Sequence, residues 1–333
     1  MEPMDEGKSQ IDEDLYSRQL YVMGHEAQRR MATSNVLICG LDGLGVEIAK
    51  NIILAGVKSV ALMDPTPTSN MDLASQFYLS EQDIGTPRAQ ACVEKLQALN
   101  QYVPVSVVQP DVDISGYKVV VAVNMPIAQQ IEMNNACRMN GACFVSGATQ
   151  GVFARAFCDF GDAWVVSDAT GEPPASFMVS AITQDNPGLV TTLEDQRHGL
   201  ETGDVVEFSD VTGMAELNGR QVRVTVTAPN TFEIGDTSGF SRYERGGYVN
   251  QVKQPVTLSF RPLRDALGAP GDFLESDFAK PGRAALLHQG MRAVDRFWQE
   301  AGRLPGPADA AAVLGHFRAL EEEGAGGAAA ADG

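Results

Sequence analysis

Short apolar runs alternate with segments of helical period between residues 34 and 167. Strands that alternate with helices are typical of an α/β fold with a doubly wound parallel sheet, so we predict that architecture here. Two further apolar runs, at 152–159 and 163–167, predict an antiparallel extension of the sheet. The predicted parallel strands are 35–39, 59–64, 103–108, 118–123 and 142–146, and the predicted helices are 45–55, 88–99 and 128–139.

The pattern changes after about residue 183, where clusters of Gly, Asn, Asp and Pro separate short apolar runs. Short strands with frequent turn signals predict a small all-β domain inserted in the chain. The following segment has helical composition, with 284–300 as its clearest helix, and Pro305 separates that helix from the next one. The last residues are acidic and then dominated by Gly and Ala, which predicts a disordered tail. The predicted domains are therefore 1–182 (α/β), 183–260 (all-β), 261–320 (helical) and 321–333 (disordered).

The net charge of the chain is -18, and no dense Lys/Arg stripe interrupts this acidic balance. Because acidic surfaces repel phosphate backbones and anionic lipid, nucleic acid and membranes are not expected partners. The acidic amino terminus differs from the basic and then apolar pattern of a secretory signal, so export is not expected. No apolar run approaches the ~18 residues that a membrane-spanning helix needs.

The chain has five cysteines, none of them in a C-x-x-C pair, and four histidines with no metal-ligand spacing. Cys39, Cys143 and Cys158 lie in apolar runs, where a buried and unreactive thiol is the expected state. We therefore predict no metal site and no disulfide framework. The expected location is the reducing cytoplasm or nucleus.

The first predicted strand leads into a glycine-rich turn, Gly40-Leu41-Asp42-Gly43-Leu44-Gly45, and then into a helix. Asp64 ends the next strand, and this topology is that of a nucleotide site in which helix-start amides bind phosphate and the acid binds ribose. Asp42, however, stands where the motif has its middle glycine, and it adds bulk and negative charge at the closest approach of phosphate. One interpretation is that Gly40, Gly43 and Gly45 only permit a tight turn and close packing. The other is a retained nucleotide site.

Several short motifs stand out along the chain: in one-letter code, LYSRQLYVMG at 15–24, GLGVEIAKN at 43–51, SQF at 75–77 with DIG at 83–85, FCDFG at 157–161, DNPG at 185–188, GMAELNG at 213–219, and RGG at 245–247 through QVK at 251–253. Together these motifs resemble the ubiquitin-activating enzyme family, in the same order and spacing. The resemblance covers about residues 15–304 and extends beyond the nucleotide fold into a β-rich region that looks like the first catalytic-cysteine half-domain. It implies a Rossmann-like adenylation half of the ThiF/MoeB type, from the amino-terminal part of such an enzyme.

Members of this family join two adenylation halves, of which only one binds ATP. The resemblance implies that Ser75, Arg88 and Asn124 stand where the ATP-binding half has a phosphate-contacting Arg, a Lys and an Asp that helps to hold Mg²⁺. Ser75 cannot neutralise phosphate, and Asn124 removes a charge from a hard-cation site. This half is therefore expected to bind no cofactor, whereas the complete enzyme uses ATP and Mg²⁺. The candidate nucleotide residues Gly40, Gly43, Gly45 and Asp64 are expected to be non-functional.

The same resemblance gives Arg18 a catalytic role, because the inactive half contributes an arginine that reaches the ATP phosphates of its partner half. A guanidinium supplied in this way can stabilise charge that develops on phosphate oxygens. The alternative is that Arg18 is a solvated charge on an amphipathic helix whose neighbours Leu15 and Val22 face the core.

The implied reaction of the complete enzyme is adenylation of the carboxyl terminus of ubiquitin, or of a ubiquitin-like modifier, followed by transfer to a cysteine as a thioester. The working adenylation half and the catalytic cysteine domain are not recognised in this sequence, so we expect a part of the enzyme that is inactive alone. Its expected partners are the second adenylation half and the modifier. Two alternatives are a non-enzymatic regulatory subunit of a heterodimeric activating enzyme and an NAD-dependent oxidoreductase, the latter supported only by the glycine-rich turn and Asp64.

Overall fold

The computed structural model describes residues 12–193, 197–273 and 278–331. The chain divides into two compact units. The first unit comprises the residues up to Asp162 together with those from Ser259 onward, and the second unit runs from Ala163 to Leu258. Each unit has its own sheet and its own apolar core.

The first unit is built on a six-stranded sheet with the order β3-β2-β1-β4-β5-β6. Strands β1 to β5 run parallel, and β6 pairs antiparallel with β5. The predicted α/β class and the antiparallel strand at 152–159 are thereby confirmed. The strands are β1 (Asn35–Cys39), β2 (Ser59–Met63), β3 (Val105–Val107), β4 (Val119–Val123), β5 (Cys143–Gln150) and β6 (Phe153–Asp159).

Helices cover both faces of this sheet, so its central strands are apolar on both sides. In β1, Ile38 packs in the cluster beneath α2 (Gly43–Ala55) and α3 (Arg88–Gln97), whereas Leu37 faces the cluster beneath α4 (Ile127–Asn140). This is why the strands appear in the sequence as continuous apolar runs rather than as alternating patterns. A further helix, α1 (Ser17–Ala32), precedes β1.

The helical segment at the end of the chain contains α5 (Leu263–Gly268), α6 (Arg283–Ala301) and α7 (Ala310–Ala331). Arg155 of β6 forms a bidentate ion pair with Asp295 of α6, which ties this segment to the sheet. The expected disorder from residue 321 differs from the structure, in which α7 continues to Ala331. Residues 321–331 contain five Ala and three Glu, whose high intrinsic helix propensity outweighs the low propensity of the three Gly.

The second unit is a closed six-stranded barrel with the order β10-β11-β12-β9-β8-β13, next to a two-stranded ribbon of β7 and β14. The barrel encloses a core that includes Phe177, Phe208 and Phe232. The strands are β7 (Trp164–Val166), β8 (Ser176–Ile182), β9 (Leu189–Thr192), β10 (Val205–Ser209), β11 (Gln221–Ala228), β12 (Thr231–Ile234), β13 (Tyr248–Gln251) and β14 (Val256–Leu258).

Two sequence predictions were wrong in this region. The run at 163–167 does not extend the first sheet, because β7 pairs with β14. The β-domain also begins earlier than residue 183, because β8 belongs to the barrel and pairs with β9 and β13. The partner of β7 and one of the two partners of β8, β13, lie far away in sequence, so a local apolar pattern could not identify them.

Candidate functional site

The glycine-rich turn lies between β1 and α2, and two of its glycines are required by backbone packing. A Cβ on Gly45 would lie 1.9 Å from the carbonyl oxygen of Gly40. Gly40 has a φ of +96°, and a Cβ there would lie 2.3 Å from the carbonyl oxygen of Val123. A Cβ on Gly43 would meet the Ser75 side chain at 2.9 Å. Close packing of helix against strand therefore accounts for these glycines without any ligand.

Asp42 is the N-cap residue of α2, and its carboxylate lies at the amino end of the helix. Oδ1 accepts hydrogen bonds from the backbone N–H groups of Leu44 and Gly45, both at 3.1 Å. The free N–H groups of the first turn are the donors that would bind a phosphate in a nucleotide site. Here they bind a carboxylate that belongs to the chain itself.

Asn124 follows β4 and holds Asp42 from the opposite side. Its Nδ2 donates hydrogen bonds to Oδ2 of Asp42 and to Oγ1 of Thr149, and its Oδ1 accepts from the backbone N–H of Thr149 at 2.7 Å. The residue has a positive φ of 47°, which Asn tolerates better than most residues. The side chain of Asn124 thus holds local structure together. The resemblance implies that the ATP-binding half has a metal-binding Asp at this position.

Asp64 ends β2 and is almost completely buried. Its Oδ2 accepts from the backbone N–H of Leu41 at 2.7 Å, and its Oδ1 accepts from that of Thr66 at 3.0 Å. Arg88 lies 3.4 Å from Asp64 and 2.8 Å from Asp72. The carboxylate at the position that binds ribose in a working nucleotide site therefore fixes the glycine-rich turn and a guanidinium instead.

Arg88 and Asp72 form the closer of the two ion pairs that Arg88 makes in this site. Burial raises the pKa of Asp72, but hydrogen bonds from Ser69 and Arg88 outweigh it, so the pKa lies below its usual value. Burial likewise lowers the pKa of Arg88, and the two carboxylates outweigh that effect and raise it. A guanidinium already shared by two carboxylates offers little positive charge to a phosphate.

These residues line a cavity of about 1150 Å³. Its charged lining residues are Asp42, Asp64, Asp72, Glu132 and Arg88, so four carboxylates face one guanidinium. Trp298 of α6 and the nearby Leu304 also contribute to its wall. The cavity is acidic, which disfavours a polyphosphate.

Arg18 does not line this cavity. It lies in the first turn of α1, is exposed, and lines a separate cavity of about 780 Å³ together with Leu54, Asn100 and Tyr102. Tyr16 fixes the start of α1, because its hydroxyl accepts a hydrogen bond from Nδ2 of Asn100 at 3.0 Å. The structure thus brings Gly40, Gly43, Gly45 and Asp64 together and places Arg18 at another surface.

The alternative interpretation of Arg18 assumed that Leu15 and Val22 face the core. That assumption was wrong, because Leu15 is 54% exposed and Val22 is 80% exposed. Three further contacts were not foreseen from the sequence: Tyr16 with Asn100, Arg88 with Asp72, and Asn124 with Thr149. Gly24 within an otherwise helical segment was the available signal that α1 is not a simple amphipathic helix.

The cysteines are unsuited to nucleophilic catalysis in the part of the chain that the structure describes. Burial raises the pKa of Cys39, Cys92 and Cys137 to about 12. Burial also raises the pKa of Cys143 and Cys158 above the usual value. Because the thiolate is the nucleophile, none of these residues has the lowered pKa of an activated cysteine.

The residues that the structure describes offer neither a metal-binding cluster nor a membrane-spanning helix. They contain no group of three or more His, Cys, Asp or Glu side chains that could hold a metal ion. Within 12–193, 197–273 and 278–331, no helix has the length and apolar character needed to span a bilayer.

Three family models match successive parts of the chain. They are the ThiF family at 16–159, the ubiquitin-activating enzyme E1 FCCH domain at 185–253 and the ubiquitin-activating enzyme E1 four-helix bundle at 254–320. The FCCH match lies within the barrel unit, and the ThiF match covers the six-stranded sheet.

Curated relatives agree with these matches. The chain is 51% identical over 304 residues to ubiquitin-like modifier-activating enzyme 1 of Homo sapiens, covering 90% of this chain and 29% of the relative. It is 49% identical over 323 residues to the protein of the same name from Oryctolagus cuniculus, covering 95% and 30%. It is 46% identical over 305 residues to ubiquitin-activating enzyme E1 1 of Arabidopsis thaliana, covering 90% and 28%. The chain thus spans less than one third of the length of these relatives, and it belongs to the ubiquitin-activating enzyme family.

Proposed function

We propose that this chain is the amino-terminal portion of a ubiquitin-activating enzyme and supplies the adenylation half that does not bind ATP. In the complete enzyme, ATP and Mg²⁺ activate the carboxyl terminus of ubiquitin as an acyl-adenylate, and a cysteine then takes the acyl group as a thioester. The observation that carries the assignment of this half is the Asp42 carboxylate at the amino end of α2.

The residues of this half do not fit ATP and Mg²⁺. Asp42 uses the helix-start N–H groups, Asp64 uses both of its oxygens, and Arg88 is held between two carboxylates. A triphosphate at this position would meet the Asp42 charge at a helix terminus that is already neutralised. Nucleotide chemistry therefore belongs to the second adenylation half, which is a proposed partner.

Arg18 is the proposed contribution of this chain to catalysis. It is exposed and lies outside the acidic cavity, so its guanidinium is available to a partner half. As pyrophosphate leaves, negative charge develops on phosphate oxygens, and a preorganised guanidinium stabilises that charge. Arg18 is in this sense an arginine finger supplied from the neighbouring half.

Exposed apolar side chains on α1, on α2 and in the segment after β2 support docking of the second half on this unit. Tyr21 and Val22 of α1, Leu54 of α2, and Phe77 in the segment after β2 are each at least 45% exposed. Contiguous exposed apolar patches mark protein interaction sites, and these side chains are the candidates for such a patch on this unit. The proposed occupant is the homologous second half of the same enzyme.

The test is ubiquitin-dependent exchange between ATP and pyrophosphate, measured for the chain alone and after mixing with a separately expressed second half. We expect no exchange by the chain alone and exchange after mixing. Exchange by the chain alone would contradict the proposal, since it would mean that the Asp42 site binds ATP.

The finger is tested by Arg18→Ala in the mixed complex. We expect exchange to slow about 100-fold, in line with the loss of one preorganised donor to a developing oxyanion. Arg29→Ala is the matched control, because Arg29 is an exposed arginine on the same helix. An equal rate for the two variants would exclude the finger role.

The two alternative functions have less support. For an NAD-dependent oxidoreductase, Asp64 would have to release the Leu41 and Thr66 N–H groups before it could bind ribose. A regulatory subunit of a heterodimeric enzyme does not account for the match of the barrel unit to the FCCH domain. Absorbance from bound nicotinamide would favour the oxidoreductase. A separate catalytic chain that co-purifies would favour the regulatory subunit.

A further inference from the structure

Gly24 has a non-helical backbone conformation in the middle of α1, although it does not lie at a helix end. Its φ is 77° and its ψ is 169°, whereas the residues from Ser17 to Met23 and from His25 to Ala32 are helical. This backbone conformation is almost exclusive to glycine. A Cβ at Gly24 would meet no atom within 4 Å, so packing does not demand a glycine here. The conformation itself does.

The turn at Gly24 within α1 changes which face of this helix is buried. Gln28 is 1% exposed, and its Nε2 donates to the carbonyl oxygen of Ala55 at 3.3 Å. In a straight helix, a residue seven positions earlier lies only about 20° from the same face. That residue is Tyr21, yet it is 92% exposed. The segment 17–23, here called the arm, is therefore turned away from the direction that α1 would otherwise take.

Anchors to the rest of the unit lie on either side of the arm. At its start, the Tyr16 hydroxyl accepts from Asn100, and a Cβ on Gly56 would lie 2.5 Å from that hydroxyl. Beyond its end, Gln28 bonds to Ala55. Both anchors meet the carboxyl end of α2, although a straight helix would carry residues 16 and 28 about 18 Å apart along its axis. The turn at Gly24 lies between them and shortens that separation.

We propose that Gly24 is a positioning residue that sets the direction of the arm and thereby presents Arg18 to the partner half. The proposal rests on the proposed function, because it needs Arg18 to act on the reaction. An L-residue at position 24 disfavours the observed turn and favours a continuous helix. Arg18 then leaves the position in which Tyr16 and Gly24 hold it.

The first experiment compares Gly24→Ala with Gly290→Ala in pyrophosphate exchange by the mixed complex. Gly290 is the matched control, because it lies within α6, has no positive φ and has no neighbour within 4 Å of an added Cβ. We expect Gly24→Ala to lower kcat about tenfold without changing KM for ubiquitin, and Gly290→Ala to leave both unchanged. Equal rates for the two variants would overturn the positioning role.

A D-alanine at position 24, introduced by semisynthesis, separates positioning from a general loss of folding. It adds the same methyl group but accepts a positive φ. We expect it to restore the rate of the unmodified chain. A D-alanine chain as slow as Gly24→Ala would show that the methyl group, and not the turn, causes the loss.

A distance measurement makes the outcome independent of the proposed function. Spin labels are attached at Arg18→Cys and Lys95→Cys in a Cys158→Ser background, because Cys158 is the exposed cysteine. We expect Gly24→Ala to shift the mean distance by ~5 Å, about one helical turn, and Gly290→Ala to leave it unchanged. If Arg18→Ala leaves exchange unchanged, the finger is excluded whatever the distances show. If Arg18→Ala slows exchange but Gly24→Ala changes neither rate nor distance, only the role of Gly24 is excluded.

Discussion

At the scale of single residues, Asp42 determines what the glycine-rich turn can bind. In the sequence, Asp42 was only an unfavourable charge at a phosphate site. In the structure, it accepts the two hydrogen bonds that cap α2 and a third from Asn124. The turn is therefore complete without a ligand, and its geometry depends on this carboxylate.

We predict that Asp42→Ala lowers the free energy of unfolding by about 1 kcal/mol, the usual cost of losing an N-cap. Asp42→Ser is the control, because a serine hydroxyl can still cap the helix, and it should lie closer to the unmodified chain. Urea denaturation of the three chains measures the difference. Equal midpoints for Ala and Ser would show that the cap does not stabilise α2.

Gly45 tests the packing interpretation of the same turn. Since an added Cβ would lie 1.9 Å from a backbone oxygen, Gly45→Ala must shift α2 away from β1. We predict a loss of about 3 kcal/mol in the free energy of unfolding, at the upper end for overpacking. Gly116→Ala has open space at its Cβ and should change little, and denaturation curves compare the two. A small effect at Gly45 would mean that the turn is pliable.

The sequence identified part of this site because its signal is local. Gly40, Gly43, Gly45 and Asp42 lie in one contiguous motif, and Asp64 follows the next apolar run. The pairing of Arg88 with Asp72 and the bonds of Asn124 to Thr149 depend on where separate loops meet. No periodicity in the chain encodes those meetings, so the structure was needed to find them.

At the scale of elements, the parallel strands were predictable because both of their faces are buried, which leaves uninterrupted apolar runs. The ribbon of β7 and β14 was not predictable, since its two strands are short and the whole barrel lies between them in the sequence. The direction of α1 was also missed. The kink at Gly24 leaves the first turns of α1 exposed, where burial was expected.

The attachment of α6 to β6 depends on Arg155 and Asp295, whose side chains are 12% and 7% exposed. We predict that Arg155→Ala lowers the free energy of unfolding by about 3 kcal/mol, because it leaves a mostly buried carboxylate without its partner. Arg30→Ala removes an exposed arginine paired with Glu26 and should cost less than about 1 kcal/mol. Chemical denaturation distinguishes these values, and similar losses would mean that the bidentate pair acts as a surface pair.

The turn between α6 and α7 gives a pH-dependent prediction. Two hydrogen bonds from Arg303 and one from the Gly306 N–H lower the pKa of Asp309 from 3.8 to about 2. Because the folded pKa lies below the unfolded value, this contribution to stability is present above about pH 4 and is lost as the pH falls toward 2. Arg303→Ala should raise the pKa of Asp309 toward 3.8, whereas Arg283→Ala should not, as followed by the carboxyl ¹³C shift. An unchanged pKa in Arg303→Ala would assign the effect to the backbone alone.

At the scale of the whole molecule, the barrel unit from Ala163 to Leu258 has the features of an independent domain. A closed barrel has no open strand edge, and this one has its own apolar core. Trp164 pairs with Leu258, so the two ends of the unit lie side by side. An excised fragment therefore begins and ends at one place and breaks no strand pairing of its own.

We predict that residues 163–258, expressed alone, fold with a β-rich circular dichroism spectrum and a single cooperative thermal transition. Phe232→Ala in the fragment removes a fully buried ring from the barrel and should lower the free energy of unfolding by about 3–5 kcal/mol. Tyr248→Ala, at a half-exposed position on β13, is the control and should cost far less. Dispersed amide proton signals would identify a native barrel. A fragment with collapsed signals and no transition would show that the unit needs the rest of the chain in order to fold. The segment from Ala163 to Leu258 would then be a compact part of the structure but not an independently folding domain.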